Sequence, residues 1–255
     1  MLPELKILFH QGKQYIPDVT TVEVPGIFRG RPIISDQAVD TEALLNCCPT
    51  GALKADPKIS LDLGLCLFCG ECSEKFPDKV RFTKDYKLAS NSREGLLVYE
   101  GEDKPIYIDP LLVRREITRL FSGSLKLRQV SAGGDNSCEW ELNASGNVQF
   151  DMGRFGIEFV ASPRHADGIV ITGPITQNMA EPLQICYDAT PSPKIIILAG
   201  VDAISGGIFA DSPAIDRSFL NKYPIDLYIP GNPVHPLNFI NGVLGLIRSK
   251  RISKK

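Results

Sequence analysis

The chain has 255 residues, 43% hydrophobic and 23% charged, with a formal net charge of −2. This is the size of one or two domains with buried cores and an ordinary globular composition, and a charge so near neutrality gives no general pull toward nucleic acid or an anionic membrane. No stretch approaches 18 consecutive apolar residues, so no membrane span is expected, and the first residues lack the apolar run of a signal peptide.

In chain order, residues 1–95 form the first predicted unit. Gly26–Pro32 is a lead-in loop, and a compact unit over residues 33–88 takes Leu45, Leu53, Val80 and Phe82 as its core. Cys48-Pro49 is followed by a turn over residues 49–52. The run Cys66-Leu67-Phe68-Cys69-Gly70-Glu71-Cys72 then places a cysteine at every third position. The bacterial ferredoxin pattern is C-x2-C-x2-C-x3-C-P, and its fourth cysteine ligates the other cluster of a pair. Here that fourth position is Phe76, before Pro77, so the missing ligand must come from the upstream Cys48-Pro49. One complete set results: Cys48, Cys66, Cys69 and Cys72. The twin set would need Ala38, Thr41, Leu44 and Phe76, none of which can hold iron. Four thiolates also suit zinc, although zinc ribbons favour two separated C-x2-C knuckles. Cys47 is expected to be a small buried residue or a thiol supporting the site. Seven cysteines, three in a tight run, suggest metal ligands in a reducing compartment rather than a disulfide frame.

Residues 96–124 are predicted to be a connector and bridging helix. Residues 92–108 form a hairpin or extended segment, and a helix then starts with Asp109 as N-cap and Pro110 at its first position. Leu112, Ile117, Leu120 and Phe121 give that helix an apolar stripe, and Gly123 ends it. From residue 125 short apolar runs alternate with helix-like segments. Strands are expected over residues 125–130, 156–160, 168–171, 194–199 and 225–229, with helices over 137–144, 179–187 and 236–249. This alternation predicts a parallel, doubly wound α/β sheet. The loops after the strands are glycine-rich and lie on the edge where open α/β sheets bind ligands; plain turns with helix caps explain them equally, Asn232 before Pro233 being a suitable cap. The basic tail over residues 248–255 is expected to be a solvated or partner-docked end.

Residues 125–249 resemble the small subunit shared by respiratory complex I and membrane-bound, energy-converting [NiFe] hydrogenases of the formate-hydrogenlyase type. The segment from Arg154 through Ser162-Pro163-Arg164-His165-Ala166-Asp167 to Pro174 carries most of the resemblance, supported by residues 205–209 and 228–231. Residues 14–90 resemble the ferredoxin-like subunit of the same complexes through Phe28-Arg29-Gly30 and Cys66-Leu67-Phe68-Cys69-Gly70. Together they imply a fusion of a ferredoxin-like (α+β) iron–sulfur domain, residues 1–95, with a flavodoxin-like domain over residues 125–255. In that family the small subunit holds a proximal [4Fe-4S] cluster on four thiolates. The matching positions here are Asp135, Cys138, Asp202 and Asn232, so the resemblance implies a vacated proximal site. A single harder ion there is the other reading. Asp135 and Asp202 are expected close together, satisfied by loop amides, Asn136, Asn232 or Arg164. His165 is expected either to take part in proton or quinone chemistry or to be a structural histidine beside Asp167.

No residue reads as catalytic, and no Walker, dinucleotide or Ser-His-Asp pattern occurs. The resemblance implies an electron-transfer subunit with one [4Fe-4S] cluster, or else a non-conducting scaffold. Its partners would be a large-subunit homologue and proton- or ion-translocating membrane subunits, with no nucleic acid and no small-molecule substrate of its own. Its place would be cytoplasmic, peripheral to the inner membrane. An independent soluble carrier would leave over half the chain idle.

Overall fold

The computed structural model describes residues 2–12 and 14–249. Its first part contains α1 (Pro3–Gln11), β1 (Pro32–Ile34), α2 (Thr41–Asn46), β2 (Leu53–Ala55), β3 (Ile59–Asp62), α3 (Glu71–Lys75), β4 (Val80–Phe82) and β5 (Leu97–Tyr99). After α4 (Arg115–Leu120) come β6 (Leu125–Ser131), α5 (Ser137–Ala144), β7 (Ile157–Phe159), β8 (Gly168–Thr172), α6 (Gln177–Ala189), β9 (Ile195–Ala199), α7 (Val201–Ser205), α8 (Ser218–Lys222), β10 (Leu227–Ile229) and α9 (Pro236–Ile247).

Five strands form one parallel sheet in the order β7-β6-β8-β9-β10. That order, with helices on both faces, is consistent with a flavodoxin-like doubly wound domain. The central strands, GIVIT and IIILA, are buried along their whole length, as strands covered on both faces must be. Side chains alternate across the sheet. Leu127, Val170, Ile197 and Leu227 pack against α4, α5 and α9 through Ile117, Leu142, Phe239 and Val243. Ile169, Ile171, Ile196 and Leu198 face the other way, toward Leu183 of α6, Phe219 of α8, and Leu61, Leu63, Leu96 and Val98 of the amino-terminal part.

That amino-terminal part holds two small antiparallel sheets, β1-β4 and β2-β3-β5. It is stitched to the large sheet by polar contacts as well as by hydrocarbon. Ser90 and Tyr228 exchange backbone hydrogen bonds of 3.0 and 2.8 Å. The buried Asn238 side chain accepts from Leu88 N at 3.0 Å and donates to Pro230 O at 2.8 Å. Leu53 and Val80 enter the core as expected, whereas Leu45 and Phe82 are half-buried at its margin.

Three expectations need correction. The bridging helix is only α4, starting at Arg115. Asp109 instead caps a turn, accepting from Leu111 N at 2.8 Å, and is pinned by a pair of hydrogen bonds with the Asn91 side chain. Ile117 and Phe121 are buried, but Leu112 and Leu120 are exposed, so the apolar stripe is two residues wide. Of the two readings of residues 92–108, the hairpin is not formed; the segment includes the extended strand β5, which joins β3 as the third strand of the amino-terminal sheet. The cap of α9 is His235, whose Nδ1 accepts from Leu237 N at 3.2 Å, and Asn232 is an exposed loop residue. The last helix ends at Ile247, and residues 250–255 of the basic tail lie outside the described residues.

Lys79, with its side chain 1% exposed, donates to Ser35 O (2.8 Å) and Gln37 O (2.7 Å) and pairs with Glu100. It ties the loop after β1 and the end of β5 to the α3–β4 turn. Lys79→Ala leaves three acceptors without their donor. Because Glu100 is partly solvated, the expected loss is about 2–3 kcal/mol, at or below the low end of the range for breaking a buried pair. Urea unfolding of the two proteins measures it, and a loss under about 0.5 kcal/mol, the size of an ordinary surface effect, contradicts this assignment.

Candidate functional site

Two groups of chemistry-bearing residues stand out. The first lies in the amino-terminal part. Helix α2 begins on Asp40, whose carboxylate accepts from Ala43 N at 3.1 Å, and ends at Cys47 and Cys48. The following turn is tied to the second cysteine stretch by Thr50 Oγ1, which donates to Leu65 O at 2.7 Å. Beneath that stretch Asp62 accepts from Gly64 N at 2.8 Å and makes a two-pronged pair with Arg93 at 2.7 and 2.5 Å. Such forked pairs fix both partners in orientation. The loop turns sharply at Phe68 (φ 54°) and Gly70 (φ 90°), then enters α3, which carries Cys72. As a result Cys48, Cys66, Cys69 and Cys72 all line one pocket.

The four thiols differ in setting. Cys66 and Cys72 are buried, Cys48 is half-buried and Cys69 is exposed. Two backbone amides reach sulfur: Ala52 N to Cys48 Sγ at 3.2 Å and Phe68 N to Cys66 Sγ at 3.4 Å. Burial pushes Cys66 and Cys72 up to about 12, with neighbouring thiols adding to the shift. Cys47 is half-buried and turns aside, donating to Leu44 O at 3.0 Å. Leu44, at the position of a missing ligand, is fully buried hydrocarbon. Among the described residues no three or more His, Cys, Asp or Glu side chains gather closely enough to grip one metal ion.

The second group lies at the carboxyl edge of the parallel sheet. Asp135 closes a turn onto the start of α5, accepting from Ser137 N (2.9 Å) and Ser137 Oγ (2.6 Å), and these donors hold its carboxyl below the usual range. Cys138 is buried against the Cα of Gly200, where an added Cβ would stand 2.6 Å from the sulfur; this residue is glycine for space as well as for its φ of 97°. Burial raises the Cys138 thiol to about 12; the Val234 amide opposes the shift and Glu139, Asp202 and Asp135 add to it. Asp202 lies against Gly207, its carboxyl raised first by burial and then by the charges of Asp135 and Glu139. Asp135, Cys138 and Asp202 are therefore within electrostatic reach of one another. Asn232 is exposed and lines a cleft of about 340 Å³ on the seam with the amino-terminal part, beside Phe28, Arg29, Phe68, Glu141 and His235.

Arg164 and His165 do not belong to this edge. They lie in a single turn before β8, at the amino end of the strand, and both are exposed. Arg164 therefore does not serve Asp135 or Asp202. Asp167 accepts from Lys126 N at 2.7 Å rather than pairing with His165.

Three residues that shape these sites carry no motif of their own. Arg217 donates to Pro174 O, Asp202 O, Ala203 O and Ile204 O at 2.8–3.3 Å, clamping the loop after β8 to α7. Buried Glu139 accepts from Thr172 Oγ1 at 2.6 Å. Arg29 lies over the cysteine loop; its place in Phe28-Arg29-Gly30 was the one available signal.

The chain belongs to the family of the NADH ubiquinone oxidoreductase 20 Kd subunit, whose model matches residues 136–246. It is 36% identical over 115 residues to the probable membrane-bound hydrogenase subunit mbhJ of Pyrococcus furiosus, covering 45% of this chain and 69% of that one. It is 36% identical over 155 residues to formate hydrogenlyase subunit 7 of Escherichia coli, covering 59% and 61%. With an NADH-quinone oxidoreductase subunit of Heliobacterium modesticaldum it shares 44% over 110 residues, covering 43% and 63%. This chain thus spans about three fifths of the length of the last two relatives. No helix among the described residues is long and apolar enough to cross a membrane.

The Asp202 shift makes a testable statement about stability. Its carboxyl is raised in the folded chain, so between the ordinary value of 3.8 and the folded one the folded state holds more protons. Stability then falls as pH rises through that window, and the cost persists at neutral pH. Asp202→Asn should be more stable than the parent at about pH 7, with the gain vanishing below about pH 3.8. Urea titrations across that range check it; a gain independent of pH contradicts the buried-acid account.

Proposed function

We propose that the chain is an iron–sulfur subunit of a membrane-associated oxidoreductase complex related to energy-converting hydrogenases and complex I. In this reading residues 1–95 are a ferredoxin-like unit with one [4Fe-4S] cluster on Cys48, Cys66, Cys69 and Cys72. Residues 96–124 connect it to a small-subunit domain over residues 125–255. The observation that carries the reading is the meeting of four thiols from two separate stretches at one pocket.

The donor set suits the group, since soft thiolates are what iron–sulfur clusters select. The four sulfurs come from two separate stretches and line one pocket. The amides at Cys48 and Cys66 are of the kind that tune cluster sulfurs. The crowded, buried Cys66 and Cys72 need a counter-charge to ionise, and iron supplies one. When bound, the cluster supplies one-electron transfer. Buried Cys66 and Cys72 would hold it on the sheltered side, and exposed Cys69 would leave an edge open to a donor or acceptor. The family match begins at residue 136, after all four cysteines, which supports a fusion of two units.

A second reading has its own observation. The sheet edge offers one thiol, two carboxylates and an amide, and Asp135 is already engaged by Ser137. That is a poor cradle for a cluster. The small-subunit domain would then be a scaffold, tying a large-subunit homologue to ion-translocating membrane subunits without carrying electrons. Cytoplasmic placement at the inner membrane surface fits either reading, and so does the relatives' naming as subunits of larger enzymes.

Iron analysis of anaerobically purified protein tests the cluster. About four irons per chain are expected from the stoichiometry of this cluster type. Cys66→Ser or Cys69→Ser should abolish them, while Cys138→Ser and Cys186→Ser should not. Eight irons, or loss of iron on changing Cys138 alone, would sink the assignment. Restoration tests the vacated site. The triple variant Asp135→Cys, Asp202→Cys, Asn232→Cys, with native Cys138, should gain a second cluster signal on reconstitution. A folded variant that takes up no further iron would mean that these positions do not correspond to the family's ligands.

A further inference from the structure

We propose that Arg29 sets the reduction equilibrium of the Cys48/Cys66/Cys69/Cys72 centre by holding a positive charge against the loop backbone that flanks its exposed ligand; the inference rests on the cluster reading above. The geometry is specific. Arg29 Nη1 donates to Phe68 O at 3.4 Å, and its guanidinium lies across the Cα of Gly70, where an added Cβ would stand 2.7 Å from Nε and 2.9 Å from Cζ. Phe68 and Gly70 are the two chain neighbours of Cys69, so the charge lies against the backbone on either side of the one exposed thiol of the four. The φ of 90° favours glycine at position 70.

The arginine is held from behind. Gly30 N donates to Thr83 O at 2.8 Å, Arg31 N donates to Asp85 O at 2.9 Å, and Lys84 Nζ donates to Phe28 O at 2.7 Å. Its backbone is thereby fixed on both sides of Cα. The only carboxylate paired with it among the described residues is Glu74, at 3.9 Å with a side chain 70% exposed, so little of its charge is neutralised. Glu71, on the same helix, is occupied with Lys75 at 3.1 Å.

Taking up one electron adds one negative charge to the thiolate-held centre, with no bond made or broken. A cation placed beforehand beside that charge favours the reduced form, and net charge near a cluster is one of the protein's levers on its potential. The Arg29 side chain is 43% exposed, so added salt should weaken the effect.

The test is an EPR-monitored redox titration of the full chain, with iron content determined on each sample. Arg29→Gln keeps a donor for Phe68 O but removes the charge; Arg29→Lys keeps the charge. Arg29→Gln should retain its iron and lower the equilibrium constant for reduction at least threefold, about 28 mV at 59 mV per tenfold for one electron. Arg29→Lys should stay within twofold of the parent, and high salt should narrow the gap between parent and Arg29→Gln. An unchanged potential in iron-loaded Arg29→Gln overturns the proposal. So does loss of iron in Arg29→Gln with retention in Arg29→Lys, since Arg29 would then hold the loop rather than tune it. Absence of iron from the parent protein defeats the underlying cluster reading instead, and is told apart by the iron determination.

Discussion

A parallel sheet cannot leave either face in water, and the rest of this molecule follows from that requirement. The strands β8 and β9 are apolar at nearly every position, so both of their faces need cover. Helices α4, α5 and α9 cover one. The other is only partly covered by α6 and α8, and the remainder is closed by Leu61, Leu63, Leu96 and Val98 from the amino-terminal part. Burial at about 25 cal/mol per Å² makes this shared hydrocarbon a strong tie between the two parts. The polar stitches at Ser90–Tyr228 and Leu88–Asn238 orient what the hydrocarbon holds together.

The cysteine pocket depends on that packing. Its loop begins directly after β3, whose last residue, Asp62, is held by the forked pair with Arg93. Arg93 lies against Gly64, and Ile204 of α7 approaches the same glycine. The segment that carries Asp202 and the segment that carries Cys66 are thus neighbours across the seam. Phe28 bridges the same seam by meeting the ring of His235 edge-on at 5.1 Å. Burial keeps His235 neutral, which leaves Nδ1 free to accept at the start of α9.

The carboxyl edge of the sheet shows how unlike two acids in one neighbourhood become. Asp135 has two donors from Ser137 and stays readily ionised; Asp202 has burial and like charge against it and resists ionisation. The difference comes from local geometry: Asp135 sits in a turn that presents an amide and a hydroxyl, whereas Asp202 lies partly buried near the start of α7, against Gly207.

Much was legible in the sequence because it is encoded locally. The apolar runs placed all five strands of the parallel sheet to within a few residues, since burial on both faces demands unbroken hydrocarbon, and α5 fills the gap left after the first of them. Cysteine spacing picked out Cys66, Cys69 and Cys72, and the upstream Cys48-Pro49 supplied a fourth thiol that lines the same pocket, because C-x2-C-x2-C constrains the loop whatever surrounds it. What failed was whatever depends on distant partners. Asp109 and Pro110 have the chemistry of a helix start, but the Asn91 side chain holds them in a turn. Leu112 and Leu120 match the sequence pattern of a buried stripe, yet both are exposed. Arg164 shares a motif-rich segment with the sheet-edge loops, yet the direction of β8 puts it at the opposite end. Only the tertiary structure placed Arg29 against the backbone flanking Cys69, Arg217 across four carbonyls and Glu139 beside Thr172, because a long side chain's reach is decided by which backbone the fold brings within a few ångströms.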